Sequence, residues 1–327
     1  MKVQYSKAIG DALKEEMRRD DRILMIGEDI AEFGNIFGIT RGMLEEFGPK
    51  RVRNTPIIEH AIASSAVGAA VTGLRPVFEL MYSDFILCSF TEVFHLIAKW
   101  RYMHGPKFKL PLVIRCASGA ANGAGAEHSN PVESLLMHAA GLTVITPSCA
   151  YDAKGLLKSA IRSDNPVIFL EPKQLYQTKQ EIPDDVYNSD YTIPIGLADV
   201  KREGTDVTLV AVGLMVPRAL QAAEELAKEG ISVEVIDPRT IAPLDTETIY
   251  NSIRKTHRAA IVEEGNKTAG VGAELAAKFQ EDLYYELDGP VARIAAIDVP
   301  MPYNPNMERY SIPDKDNIIE AIRGMFQ

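Results

Sequence analysis

Along this chain, short apolar runs alternate with stretches whose apolar positions recur at helical spacing. The first such stretch predicts a helix over 4–19, carried by Ala8, Ala12, Leu13 and Met17. RILMIGEDI reads as a strand that breaks at Gly27 and delivers Glu28 and Asp29 to its C-terminal end. Ligands of open α/β sheets bind at that edge, although acids there are more often turn formers than contacts. A helix over 57–72 follows, with Pro56 suiting its first turn. Next come the strand RPVFELM, a long helix over 83–103, and the strand LPLVIRCA, which empties into a glycine- and alanine-rich loop holding His128. LTVITPS, DAKGLLKSAIRS and PVIFLEP then read as strand, helix and strand. Near-continuous apolar strands between helices imply a buried parallel sheet.

From 173 to about 195 the pattern fails: QLYQTKQEIPDDVYNSDYTIP is polar and aperiodic. Beyond it a second strand–helix alternation runs from DVTLVAVG to ARIAAID, then a proline-rich segment and a last helix, KDNIIEAIRGMF. The expected organisation is therefore α/β, with one domain over 1–175, a linker over 176–195 and a second domain over 196–327. Each would be a mainly parallel sheet flanked by helices.

Composition removes whole classes of function. A net charge of −10 with no basic stripe argues against nucleic acid. No apolar stretch is long enough to span a membrane, and the N-terminus has no apolar signal core. Cys88, Cys116 and Cys149 lack metal-ligand spacing and read as buried free thiols of a cytoplasmic protein.

Two positions stand out for chemistry. Glu59 heads a small, apolar helix; it is either a charge favoured by the helix dipole or a working acid. Pro56, Ile57, Ile58 and Ala61–Ala63 offer it no cation, a setting that proton-transfer carboxyls exploit. Ser64, Gly68 and Thr72 recur along one face of the same helix, which permits close packing within the domain or against a subunit. His128 follows a parallel strand in a loop, beside Glu127 and Ser129, where catalytic groups are commonly presented. By contrast GVGAEL, at 270–275, lacks the third glycine of a dinucleotide fingerprint and reads as a packed helix start. There is no phosphate loop, no HExxH and no GxSxG.

GED at 27–29, NTPIIEHA at 54–61, GAAVTGLRPVFELM at 68–81, GAEHSN at 125–130 and DAKGLLKSAIRSDNPVIFLEP at 152–172 appear in order. Together they make the chain resemble the beta subunit of the thiamine-diphosphate-dependent first component of 2-oxo acid dehydrogenase complexes, of pyruvate, branched-chain or acetoin type. The resemblance implies a pyrimidine-binding domain followed by a transketolase C-terminal-like domain. It matches Glu59 to the acid that bonds the pyrimidine N1′, with Glu28, Ile57, Met81 and Phe85 around the ring. His128 matches a histidine that orients substrate or assists acyl transfer, and Tyr82 and Asp84 fall on the substrate side.

The resemblance also implies a structural potassium ion in some members, through the carbonyls of Leu112, Ala160, Ile161, Ser163 and Asn165. Ser163 departs from the aspartate of that pattern. The diphosphate–magnesium motif of thiamine enzymes is missing, so magnesium falls to an alpha subunit in a heterotetramer of two alpha and two beta chains. The expected reaction is oxidative decarboxylation of a 2-oxo acid, pyruvate-like, with acyl transfer to a lipoyl-bearing acyltransferase. Acetoin cleavage is the alternative. A split transketolase-type transferase and a non-catalytic scaffold subunit are more distant ones.

Overall fold

In the first unit the strands lie in the order Thr143–Ile145, Val167–Pro172, Val113–Ser118, Arg75–Tyr82, Ile23–Gly27 and Val52–Asn54, all parallel. This computed structural model describes residues 1–327. One unit comprises Met1–Ser118 with Leu135–Ile195, the other Gly119–Ser134 with Gly196–Gln327. Every residue of Ile23–Gly27, Val113–Ser118 and Val167–Pro172 is buried, which is why these strands read as near-continuous apolar runs. Helices Tyr5–Arg19 and Ala150–Arg162 are tied by ion pairs: Lys154 and Lys158 donate to Glu15 at 2.7 and 3.0 Å, and Arg162 grips Glu16.

The second unit has parallel strands Ala292–Ala296, Ala259–Asn266, Val207–Ala211 and Val233–Asp237, with Asp199–Arg202 antiparallel at the edge. Helix Val271–Leu283 begins where the glycine motif stands. Its first amides, Val271 and Gly272 N–H, donate to the Glu263 carboxylate at 2.8 Å each. A Cβ at Gly272 would sit 2.8 Å from Glu263 Oε1, so the glycine is there to let the chain's own acid in. The motif is a self-capped helix start.

Several expectations need correcting. The helix over 83–103 is three pieces: a 3₁₀ segment Ser83–Ser89, a π segment Glu92–Ile97 and a short α-helix Trp100–His104. Tight then wide winding shifts the buried face, so Val93 and Ile97 are buried while Phe90, stacked on Phe94 at 4.0 Å, stays partly exposed. Pro56 is not in a first turn, because that helix runs Glu59–Val71 with Ile58 as its cap. The polar stretch after 175 holds a strand, Lys179–Glu181, paired antiparallel to Lys2–Gln4, and a turn of helix, Asp184–Tyr187. Ile182 and Tyr187 are buried against Val3, Ala8 and Ala150. Cys88 is exposed; only Cys116 is fully buried.

Candidate functional site

Gly27 ends its strand against Arg75–Tyr82, where a Cβ would meet the Glu79 carbonyl at 2.8 Å. The chain then turns through Asp29, in the left-handed region at φ 53°, and leaves Glu28 half-buried at the sheet edge. Asn54 pins the loop that follows: its Oδ1 accepts Ala31 N–H at 2.8 Å and its Nδ2 donates to Glu32 at 2.6 Å.

Glu59 stands half-buried at the first position of helix Glu59–Val71, near enough to Glu28 for the two carboxylates to repel. Burial first, then Glu59 and then Asp29, push the Glu28 carboxyl above its ordinary value. Partial desolvation first, then the same two acids, raise the thiol of the exposed Cys88. No group of the chain donates a hydrogen bond to Glu28 or Glu59. Two like charges without a donor favour a ligand that brings one.

Strand Arg75–Tyr82 carries Met81 and Tyr82, both half-buried, towards Phe85. The Phe85 ring meets Tyr82 edge-on at 5.9 Å, and Phe37 meets Tyr82 the same way at 6.1 Å. Lys173 lies 5.0 Å over the Tyr82 ring. Burial, then Asp84, raise the Tyr82 phenol. Asp84 is itself buried, whereas Ile57 projects into solvent at 81% exposed. Ile57 is thus not gathered with the others within this chain. Phe37 and Lys173 went unnoticed in the sequence because nothing local marks them; they reach Tyr82 from distant segments.

A second feature the sequence did not flag lies beneath the site. Three adjacent parallel strands bring Glu79, Arg115 and Glu171 together in the interior. Asn35, from the loop after Glu28, donates to Glu79 at 2.6 Å, and its Oδ1 accepts Phe37 N–H at 2.8 Å. An interior charge in each of RPVFELM, LPLVIRCA and PVIFLEP (Glu79, Arg115 and Glu171) was the available signal.

Of the potassium positions, the carbonyls of Leu112 and Ala160 accept from Val167 and Ser163 N–H. Those of Ile161 and Ser163 accept from Arg75 at 2.9 and 2.5 Å. The Arg75 guanidinium, itself a cation, thus already lies on two of the five carbonyls. A largely apolar cavity of about 780 Å³, lined by Ile97, Tyr102, Gly141 and Pro166 among others, includes only Asn165 of the candidates.

His128 belongs to the second unit, half-buried in the loop 119–134, with its N–H donating to Gly125 O at 3.4 Å. Ser129 beside it is buried.

Comparison with known proteins gives one consistent outcome. The family described as "Transketolase, pyrimidine binding domain" matches residues 1–179, and "Transketolase, C-terminal domain" matches 196–318. The chain is 43% identical to a pyruvate dehydrogenase E1 component subunit beta of Rickettsia felis, over 99% of this chain and 98% of that one. It is also 43% identical to a 2-oxoisovalerate dehydrogenase subunit beta of Bacillus subtilis, covering 98% of both. To the Bacillus subtilis acetoin:2,6-dichlorophenolindophenol oxidoreductase subunit beta it is 42% identical, over 98% and 96%. A solved split-gene transketolase, an inactive beta4 tetramer, superposes with a TM-score of 0.80 over 98% of this chain and 97% of that one; at 23% identity it speaks to the fold alone.

Proposed function

This chain belongs to the E1 beta subunits of the 2-oxo acid dehydrogenases, with transketolase-type pyrimidine-binding and C-terminal domains, and on that premise we propose the substrate, partners and working residues of its reaction. The reaction is oxidative decarboxylation of a pyruvate-like 2-oxo acid, with the acyl group passed to a lipoyl-bearing acyltransferase. Residues 1–175 form the pyrimidine-binding domain, 176–195 the connection and 196–327 the C-terminal domain. An alpha subunit completes the site in a heterotetramer of two alpha and two beta chains and supplies the magnesium ligands. The cytoplasm is the proposed compartment, on three unbridged cysteines. Potassium sits on the five carbonyls at 112, 160, 161, 163 and 165.

One observation carries the reading: Glu28 and Glu59 stand half-buried, close enough for their charges to interact, with no donor of the chain's own. Thiamine diphosphate, when bound, supplies a carbon nucleophile and an electron sink for decarboxylation. Glu59 is the group that shares a proton with the pyrimidine N1′. Glu28 lies near the same ring. Phe85 and Met81 give the ring an apolar seat, and Ile57 joins them on assembly with the alpha chain. Tyr82 and Asp84 flank the substrate. His128 orients the substrate or aids acyl transfer to the lipoyl thiol.

The chain is to be co-produced with its alpha partner and assayed for 2-oxo-acid-dependent dye reduction. Glu59→Ala is expected to abolish it; full cofactor-dependent turnover in that variant would sink the proton-sharing role. A panel of pyruvate, branched 2-oxo acids, 2-oxoglutarate and acetoin then ranks the substrates. Higher kcat/KM with acetoin than with any 2-oxo acid would replace decarboxylation by acetoin cleavage.

A further inference from the structure

Within the second unit, the loop that carries His128 is held by side chains far from it in sequence. Glu308, only 4% exposed, accepts Gly123 N–H at 2.9 Å across 185 residues of chain. Glu264 accepts Ala120 N–H at 2.6 Å. Both carboxylates therefore grip main-chain amides at the root of the loop, three residues apart.

The glycines of the loop exist to admit these neighbours. Gly119, at φ +77°, has Glu264 where a Cβ would be. Gly123, at φ +68°, and Gly125, at φ +77°, both run against Tyr303, whose carbonyl and ring occupy the space. Asn304 caps the helix Pro305–Ser311 through Asn306 N–H, which fixes the turn from which Glu308 projects. A backbone amide held by a carboxylate makes a charge-assisted bond, and shifting it by about one ångström would move everything the loop carries.

We propose that Glu308, seconded by Glu264, is a positioning residue: its carboxylate clamps the 119–134 main chain and so sets where His128 stands. The inference rests on the role given to His128 above and adds the residue that enforces it. Glu308 has no part in bond making.

The test uses the reconstituted alpha–beta complex with pyruvate and a free lipoyl domain, read as acylation of the lipoyl domain and, separately, as dye reduction. Glu308→Ala is expected to lower kcat for lipoyl acylation about tenfold to hundredfold. Glu308→Gln keeps an acceptor for Gly123 N–H and is expected to restore most of it. Because Glu308 acts through His128, the double variant Glu308→Ala/His128→Ala should be no slower than His128→Ala alone. Amide exchange over 119–125, which does not depend on turnover, should quicken in Glu308→Ala and not in Glu308→Gln. Should Glu308→Ala fail to assemble, Glu308→Asp, one methylene short, is expected to show the same signs more weakly. Losses that multiply in the double variant, or unchanged exchange in Glu308→Ala, overturn the clamp. A wild-type rate in His128→Ala overturns the His128 role, and the clamp's purpose with it; a wild-type rate in Glu308→Ala beside an impaired His128→Ala overturns the clamp alone.

Discussion

Arg115 donates to both carboxylate oxygens of Glu171, Nε to Oε1 at 2.8 Å and Nη2 to Oε2 at 2.7 Å. Its third nitrogen, Nη1, reaches Glu79. All three side chains are buried, and Tyr176 adds a hydrogen bond to Glu171 at 2.8 Å. Two carboxylates share one guanidinium here, so burial pushes Glu79 above its ordinary value despite the cation. Replacing Arg115 by Met leaves two buried carboxyls without their cation. The expected cost is about 3–5 kcal/mol of unfolding free energy, measured by denaturant titration. Asn35 joins this network to the backbone after Glu28, so the variant should also weaken cofactor binding to the assembled enzyme.

Gly68 separates two readings of its helix face. Ser64, Gly68 and Thr72 are exposed, and nothing lies within 4 Å of a Cβ built on Gly68. Packing inside the chain is thereby set aside for this face. Gly68→Ala should stabilise the isolated chain by about 0.5–1 kcal/mol, as expected for glycine inside a helix. The same substitution should weaken association with the alpha subunit. Calorimetry of the lone chain and sedimentation of the mixture would show opposite signs; equal affinity in the mixture would remove this face from the junction.

Gly125→Ala meets two obstacles at once. Its φ of +77° disfavours a side chain, and the Tyr303 ring fills the space. The backbone conformation alone costs about 1–2 kcal/mol. Thermal unfolding should register at least that loss, and a second change, Tyr303→Ser, should recover the part owed to the ring. No recovery would mean that the ring is not the obstacle.

The Glu263 carboxyl gives the second unit a pH dependence. Burial raises it to about 7, although two helix amides pull the other way, and Glu133 adds repulsion. The folded state thus keeps its proton at pH values where the unfolded chain has lost it. Below about 4.3 both states are protonated and the group contributes no slope. Between there and about 7 the folded state binds the extra proton, so stability falls as pH rises, and the loss is complete above that range. Up to about 4 kcal/mol is at stake, at roughly 1.4 kcal/mol per pH unit. Unfolding free energies at a series of pH values should slope downward in the native chain and less so in Glu263→Gln, which cannot ionise.

What could be read in advance follows the range of the interactions. Strands such as Ile23–Gly27 and Val167–Pro172 are buried on both faces, so their apolar runs announced them. Asp314 and Asn317 form a capping box that marks the start of the last helix locally. Edge strands Lys2–Gln4 and Asp199–Arg202 escaped notice, being short, polar and stabilised by partners elsewhere in the chain. The break of the 83–103 helix was also invisible, because its apolar positions fit a helix whatever its winding. Glu28 and Glu59 were legible as acids at element ends. Their closeness was not, nor was the hold of Glu308 on Gly123, since each depends on the folded path rather than on spacing.

The unpartnered pair at 28 and 59 has a consequence for how such an enzyme is made. On the proposed reading, the acids at 28 and 59 and the exposed Ile57 work only once an alpha chain is bound. On that reading, surplus copies are idle protein. The ratio at which two genes are expressed would then govern the amount of active enzyme, with the scarcer chain setting the ceiling.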